Sequence, residues 1–509
     1  MALSATQHIS RPAASKQRWI ICALLFWAFT ANYIDRSVFS NVGPEMVTYL
    51  HLDAHVSDSE AVQFWSQISR NTDAQAYKEL AATLPAQTVA SGNVIADARA
   101  LQTIKMAVAR KSWSGQYWYI QVTFAFFFAI SNMYLGRMVD VIGLRKGLAI
   151  ACGLWALGAS MQSIAPEIGA LFGNPIVGFH ICMALLSLGQ GSIFPAAVKA
   201  TAEWFPRRER ALATGLFNSG ANVGGLLVPV AIPALLLFLT SYSIAGHYIG
   251  WRGAFLPGVI IDLAWIATWM WFYRKPEDKA GVSEAELAII HSDGENVNVS
   301  KVKVPWLKLL AYRQTWAVIG AKLLTDAYWS FYLFGAPDFF HRKFGLDPSH
   351  RKYLIMMIYI VSTVGSIAGG WISGKFMRMG WSLNKSRKVA MLICALMVAP
   401  VFYAALTSSQ WLAAVLITLA ASGHQAWMAN TNNLSSDMFP KRVVGSVMGF
   451  AGCVSALGMM TVFFVTGKVL SVTGNYLPMF IVCSAAYLAS VLIVHIAAPR
   501  LEQANIDVP

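Results

Sequence analysis

The chain has 509 residues, of which 56% are hydrophobic and only 13% are charged. A soluble domain of ordinary composition carries about 25% charged residues, so this balance excludes a soluble globular protein and indicates an integral membrane protein. Lysine and arginine outnumber aspartate and glutamate by 39 to 25. Because these basic residues lie in short segments between apolar runs, they are expected to orient the chain in a membrane, and nucleic-acid binding is not expected.

The polar residues show no pattern typical of an enzyme. No nucleophile–base set or phosphate loop is present, so we name no catalytic residue. All six cysteines lie within apolar runs, where thiols are most often small packing residues, so we expect no disulfide framework, metal site or cofactor. The first apolar run is long and lacks a small-residue cleavage site, so we expect it to remain as a helix.

Apolar runs of about 20 residues, the length that spans a bilayer as a helix, recur about twelve times along the chain. A polar interval after the sixth run divides them into an N-terminal half at 1–273, a connector at 274–313 and a C-terminal half at 314–509. The sequence therefore predicts an all-α membrane protein with two halves of about six helices each. The runs centre on residues 19–42, 116–136, 147–165, 175–200, 209–239, 252–273, 314–336, 353–376, 388–407, 410–434, 443–469 and 476–497.

Lysine and arginine are unevenly divided between the loops. The loops near 166–174, 241–250, 407–410 and 471–475 contain neither residue, whereas the alternate loops and the connector are basic. Cytoplasmic loops are enriched in lysine and arginine, so we expect both termini and the connector on the cytoplasmic side of the inner (plasma) membrane.

One exterior loop, residues 43–114, is a long polar insertion. Three of its stretches, 57–69, 74–84 and 93–111, have the apolar spacing of helices. The insertion is either a cap over an entrance or an addition without a functional role.

The motif NYIDR at 32–36 places Asp35 and Arg36 within the first apolar run. A charge in hydrocarbon costs at least roughly 2.5 to 3.5 kcal/mol on insertion scales, so such residues usually face a cavity or a partner and mark an ion or substrate path. The alternative is that the helix ends near Tyr33 and the charged pair flanks the membrane.

Between the second and third runs the chain reads GRMVDVIGLRK at 136–146. Small residues allow close helix approach, and the acid and bases can bond to a neighbouring helix end. This loop resembles the signature loop of the major facilitator superfamily, although Val141 stands where a basic residue is usual. The resemblance implies a gate that does not touch substrate, made of Gly136, Asp140, Gly143, Arg145 and Lys146.

Three further stretches, 32–37, 193–229 and 423–450, resemble the anion:cation symporter family. The last two and the region around Lys322 are most similar to hexuronate transporters. The resemblance implies the two-domain helical fold of the major facilitator superfamily, with substrate held between the halves and alternately exposed to each side. It also implies transport of a small organic anion, such as a sugar acid, by proton or sodium symport or, as in some members, by facilitated diffusion.

Carried onto this chain, the resemblance makes Asp35 a proton-binding acid and Arg36 its modulator or a ligand of the substrate carboxylate. Tyr33 would offer a hydroxyl to the same cavity. Many relatives have a glutamate where this chain has Gln190, and a substrate-binding tyrosine where it has Phe128. Coupling to protons would therefore rest on fewer acids than in those relatives, or be absent.

Lys322 and Asp326 stand four residues apart in the seventh run, so they share a helix face. They are either a carboxylate ligand with a sugar-hydroxyl or proton site, or a structural ion pair. Asp262 has no cation nearby in the sequence, and we expect a packing acid that stays protonated, with a third coupling site as the alternative. Other polar candidates suit either a hydroxyl-rich ligand or bonds between helices: Asn218, Asn222, Tyr328, His424, Gln425, Asn430 and Asn433.

We therefore expect a monomeric transporter that imports a monovalent sugar acid by proton symport. The expected substrate is a hexuronate such as glucuronate or galacturonate. The alternatives are transport of another organic anion, such as an aldonate or aldarate, by symport or facilitated diffusion, and a transporter-derived receptor whose exterior insertion binds a partner.

Overall fold

The structure, a computed structural model, describes residues 15–42, 56–70, 75–84, 97–239, 250–292, 305–346, 348–473 and 476–506, with a few isolated positions between them. The described residues are mainly helical, and the isolated positions include a small hairpin of β1 (Ser243–Ile244) and β2 (His247–Tyr248). Ten of the described helices are long and apolar enough to cross a membrane. Two more long helices, Gln17–Asn41 and Arg313–Phe344, carry the charged pairs Asp35–Arg36 and Lys322–Asp326 and pack against these ten. This confirms the predicted all-α fold of about twelve spans.

The first part of the chain contains eleven helices among the described residues. They are α1 (Gln17–Asn41), α2 (Asp58–Ile68), α3 (Gln75–Thr83), α4 (Ala98–Ile142), α5 (Leu144–Met161), α6 (Ala165–Ala170), α7 (Pro175–Gln190), α8 (Ile193–Trp204), α9 (Arg207–Leu239), α10 (Leu256–Phe272) and α11 (Glu284–Ile290). The described remainder contains α12 (Arg313–Phe344), α13 (Pro348–Arg378), α14 (Leu383–Val398), α15 (Gln410–Met438), α16 (Val444–Thr473) and α17 (Leu477–Ala497).

Local sequence signals explain several helix ends. Asn174 caps α7 by accepting a hydrogen bond from the Ile176 amide, and Pro175 takes the first helical position, where its missing N–H is not needed. Gly143 separates α4 from α5 with a φ of 91°, a backbone conformation that favours glycine. This explains its place in the predicted gating loop.

Helix α4 is one continuous helix of 45 residues, roughly 68 Å long at 1.5 Å per residue. The sequence predicted a helix in the insertion and a separate span, and the structure joins them. The other two helices predicted in the insertion are present as α2 and α3. Lys105 of α4 pairs with Asp58 of α2 at 2.5 Å, so the part of α4 beyond the membrane carries part of the insertion.

Buried apolar residues form two clusters. One extends from Ile21 to Ile290, and the other comprises Val198 and residues from Leu309 to Ile506. The predicted domain bounds remain a prediction, but the break between the clusters lies in the polar connector. Helix α11 of the connector is tied to the first cluster, because the fully buried Glu286 binds Arg18 at 3.0 Å.

The helices before the connector and those after it form two sets, which approach closely at one end. We call this end the basic face because it carries Arg137, Arg145 and the connector. There α4 crosses α16 through glycines. A methyl group at Gly136 would lie 2.5 Å from the Gly445 carbonyl oxygen and 3.1 Å from the Gly449 Cα atom. Only a residue without a side chain allows this crossing distance.

We expect Gly136→Ala to destabilise this packing by about 1 to 3 kcal/mol, because the added methyl group forces the two backbones apart. The measurement is the thermal unfolding temperature of the purified protein. Gly153→Ala is the matched control, because a methyl group there meets no atom within 4 Å. Equal unfolding temperatures for the two variants would contradict the close crossing.

Candidate functional site

Arg36 of α1 lies against three aromatic rings, which we call the aromatic cage. Its guanidinium carbon is 5.4 Å from the ring centre of Tyr33, 4.6 Å from Phe124 and 5.2 Å from Phe128. Its Nε is buried and has no hydrogen-bond partner among the described residues. Ring faces attract a cation but do not satisfy its N–H donors. The cage therefore presents a cation that retains donors for an anionic ligand.

Asp35 does not share this environment, although it is the next residue in the sequence. Its carboxyl lies against Gly258 of α10, where a methyl group would collide with Asp35 Oδ1. It interacts with Asp262, one helical turn further along α10. Neighbouring residues in an α-helix point about 100° apart, so the acid and the cation of NYIDR face different neighbours.

The second predicted charged pair forms a compact network in the other set of helices. Lys322 Nζ lies 2.6 Å from Asp326 Oδ2 on the same helix, and their side chains are 4% and 14% exposed. Lys322 also donates to Asn432 Oδ1 at 3.1 Å, and Ser455 of α16 donates to Asp326 at 2.7 Å. The charge of Lys322 is therefore already compensated.

A row of amides, which we call the amide ladder, joins α9 to α15. Asn218 donates to Gln425 Oε1 at 2.6 Å, and Gln425 Nε2 donates to Asn222 Oδ1 at 2.9 Å. Asn218 also reaches Ser366 Oγ of α13 at 3.3 Å. Three of the predicted candidates thus bind one another across the two sets of helices. Each hydrogen bond between these amides can be replaced by one to a ligand hydroxyl, which both donates and accepts.

The remaining polar candidates of α15 have different surroundings. His424 stacks on Trp329 with ring centres 5.7 Å apart, and its Nδ1 lies 2.5 Å from the Tyr487 hydroxyl. Asn430 donates to the carbonyls of Gly369 and Ala426. Asn433 donates to the Thr214 hydroxyl and to the Ala429 carbonyl. These two amides bind neighbouring helices, as the alternative interpretation of the sequence held.

Two further aromatic residues lie near the polar candidates. Tyr328 is buried and packs its ring edge-on against Phe331, at 6.4 Å between centres, which favours packing over ligand contact. Tyr359 of α13 was not among the predicted candidates. It lies close to Tyr33 and, at 6.5 Å between ring centres, to Trp329, so it connects the aromatic cage to the opposite set of helices.

The predicted gating loop lies at the basic face. Asp140 Oδ1 binds Lys199 of α8 at 2.8 Å, and its Oδ2 accepts hydrogen bonds from the backbone N–H and hydroxyl of Ser446, both at 2.7 Å. Asp140 therefore bridges α4, α8 and the start of α16. Arg145 donates to the Met270 carbonyl of α10. Lys146 lines an adjacent basic cleft of about 700 Å³.

The family model of the Major Facilitator Superfamily matches residues 25–462. This chain belongs to the Major Facilitator Superfamily. As a member of that superfamily it is a transporter rather than an enzyme, and the resemblance found in its motifs is confirmed.

Two relatives show which members it resembles. It is 26% identical over 383 residues to the hexuronate transporter of Escherichia coli strain K12, and this match covers 74% of this chain and 84% of that protein. It is 28% identical over 286 residues to the galacturonate transporter of Dickeya chrysanthemi, and this match covers 55% of this chain and 77% of that protein. Its fold is similar to the proton:xylose symporter XylE, with a TM-score of 0.64 at 14% identity over 94% of this chain and 95% of the other.

The superfamily fold explains which residues sequence reasoning missed. Lys199, which binds Asp140, lies on α8, far along the chain from the gating loop. Arg387 and Asp437 form a fully buried pair at 2.8 Å near the basic face. Lys199 stands among apolar and small residues in the sequence, and this isolation was the available signal. Arg387 lies in the basic stretch 385–388 and gave no such signal, and the partners of both cations could not be read from spacing.

We expect Lys322→Met to lower the free energy of unfolding by about 3 to 5 kcal/mol, because it leaves Asp326 buried without its cation. The double variant with Asp326→Leu should recover most of this loss, since it removes both charges. Unfolding of the purified variants measures both effects. Arg500→Met is the control, because its pair with Glu502 is exposed and contributes little. A double variant as unstable as the single one would contradict the compensated pair.

Proposed function

We propose that this Major Facilitator Superfamily chain imports a monovalent sugar acid, a hexuronate such as glucuronate or galacturonate, together with protons. The protein acts as a monomer in the inner (plasma) membrane. The observation that carries the proposal is Arg36, which lies within the helical bundle over three aromatic rings without a salt bridge to any described residue. Similarity to hexuronate and galacturonate transporters supports the same class of substrate.

The charge balance of the site favours a substrate with one carboxylate. Of the two predicted substrate cations, Lys322 is paired with Asp326, so Arg36 supplies the uncompensated positive charge. A single carboxylate can take two parallel hydrogen bonds from the guanidinium. A second carboxylate on the same ligand would meet no further uncompensated cation of this pair, which disfavours an aldarate.

The rest of the site suits a hydroxylated ring. The hydroxyls of Tyr33 and Tyr359 border the aromatic cage, and the amide ladder offers donors and acceptors in mixed order. Aromatic faces pack against the apolar faces of sugar rings, while amides recognise their hydroxyls. His424 and Trp329 extend this wall in the C-terminal half.

We assign proton coupling to Asp35. Asp326, the other predicted proton site, is held by Lys322 and Ser455, which favours the ion-pair alternative. Alternating access then requires the basic face, which we place in the cytoplasm, to open and close. Opening would separate Gly136 from Gly445 and break the bonds from Ser446 to Asp140.

The first test is uptake of labelled glucuronate into proteoliposomes, with and without a pH gradient. We expect the gradient to drive accumulation by the unaltered chain. Asp35→Asn should abolish accumulation while counterflow exchange continues, because the site remains but the proton carrier is lost. Uptake that is equal with and without the gradient would indicate a facilitator, and binding without any flux would indicate a receptor.

The second test concerns the aromatic cage. We expect Arg36→Lys to weaken glucuronate binding about tenfold or more, because an ammonium cannot form two parallel bonds to one carboxylate. Calorimetric titration of the purified protein measures this loss. Arg252→Lys is the matched control, since Arg252 pairs with Glu167 instead. Glucose, which lacks the carboxylate, and galactarate, which has two, should bind more weakly than glucuronate; tighter binding of galactarate would overturn the monovalent assignment.

A further inference from the structure

A second acid lies against the proposed proton carrier. Asp35 of α1 is 2% exposed and Asp262 of α10 is fully buried. The two carboxyl groups face each other at hydrogen-bonding range, because Gly258, one turn before Asp262, leaves room for Asp35 Oδ1. We call Asp35 and Asp262 the carboxyl pair.

The pair has few of the donors that ionised carboxylates require. Asp35 Oδ2 and both oxygens of Asp262 have no hydrogen-bond partner of normal geometry among the described residues, although the Trp155 indole N–H faces Asp262. A carboxylate is only an acceptor, so two ionised groups in contact repel each other and leave their lone pairs unsatisfied. A proton on one of them converts the contact into a hydrogen bond.

No described cation compensates the pair, as its surroundings show element by element. On α1, Arg36 lies in the aromatic cage beside Tyr33. On α5, the groups that face the pair are the Cys152 thiol and the Trp155 indole, and neither carries a positive charge. Several charged residues of the other packed elements bind elsewhere: Lys199 of α8 to Asp140, Glu203 of α8 to the Tyr273 hydroxyl, Glu209 of α9 to Arg18, Arg210 of α9 to the Ser436 carbonyl, and Arg252 to Glu167.

We propose that Asp35 and Asp262 share one proton and together form the proton site of the transport cycle. This inference rests on the proposed function for its role in transport, but the shared proton itself follows from the contact alone. Two buried negative charges side by side are strongly disfavoured, so the pair retains at least one proton when no cation is near.

The position of the pair links it to the substrate. Asp35 and Arg36 are adjacent on α1, so the positive charge of Arg36 favours ionisation of the pair while the cage is empty. A substrate carboxylate bound to Arg36 cancels that charge, and the pair then holds its proton more firmly. Substrate and proton thus favour each other's binding. Gln190, whose amide donates to the Asn32 carbonyl, cannot take this role because it does not titrate.

The test begins with a measurement that needs no substrate. Infrared spectra of the full chain in vesicles at neutral pH should show the carbonyl stretch of a protonated carboxyl group, shifted by deuterium exchange. We expect Asp262→Asn and Asp35→Asn each to remove this band, because an amide then supplies the hydrogen bond that the proton supplied. Glu286→Gln is the control, since Glu286 is equally buried but ionised against Arg18; it should leave the band unchanged.

The second measurement is glucuronate transport. Asp262→Asn should reduce accumulation driven by a pH gradient to the equilibrium level while counterflow continues. If Asp262→Asn does not fold, Gly258→Ala replaces it, because the methyl group pushes Asp35 away from Asp262 without changing any charge, and it should give the same loss of gradient-driven accumulation.

The outcomes separate the two proposals. A band that is absent from the unaltered chain, or that persists in Asp262→Asn, overturns the shared proton. Gradient-driven accumulation by Asp262→Asn equal to that of the unaltered chain overturns its role in coupling. Loss of the band on both substitutions without any movement of glucuronate supports the carboxyl pair and overturns the hexuronate assignment alone.

Discussion

Burying charge where little can solvate it is the constraint on which the rest of this molecule depends. Three buried cations have complete partners: Lys322 with Asp326, Lys199 with Asp140, and Arg387 with Asp437. Among the described residues, Arg36 instead lies against ring faces, and Asp35 faces another acid, Asp262. Arg36 and Asp35 are adjacent on α1, so an anion and a proton can compensate these two groups at one place in the bundle.

Several contacts between the two sets of helices at the basic face use main-chain groups. Asp140 accepts from the Ser446 amide, Arg210 donates to the Ser436 carbonyl, and Arg387 donates to the Arg207 carbonyl. The formation of such bonds depends on where the helix end lies and not on which side chain it carries. Together with the glycine crossing of α4 and α16, they make this end sensitive to small rigid shifts of whole helices, as alternating access requires.

Hydrophobic periodicity predicted the helical fold, the approximate spans and the three insertion helices, because each depends on local sequence. The Lys322–Asp326 contact was also predictable, since residues four apart share a helix face. The join within α4 was not: polar residues before Tyr119 interrupt the apolar signal, although no proline interrupts the helix.

Contacts between distant helices lay beyond sequence reasoning. Adjacency in NYIDR placed Asp35 and Arg36 in one cavity, yet helical geometry turns them toward different neighbours, and nothing in the spacing identified Asp262 as the partner of Asp35. The direction of an amide is equally hidden. Asn218, Asn222, Asn430 and Asn433 look alike in the sequence, and only packing divides the amide ladder from the amides that bind neighbouring helices.

The unbroken course of α4 has a consequence for how this chain can evolve. One helix carries part of the insertion at one end, Phe124 and Phe128 of the aromatic cage in the middle, and Gly136 and Asp140 at the other end. Adding or deleting one residue above the cage would turn the insertion by about 100° and move it about 1.5 Å relative to Arg36. The orientation of the insertion relative to the transport path is thus fixed by the length of α4. Residues can be added or deleted without changing that orientation only in the segments that lie outside the helix.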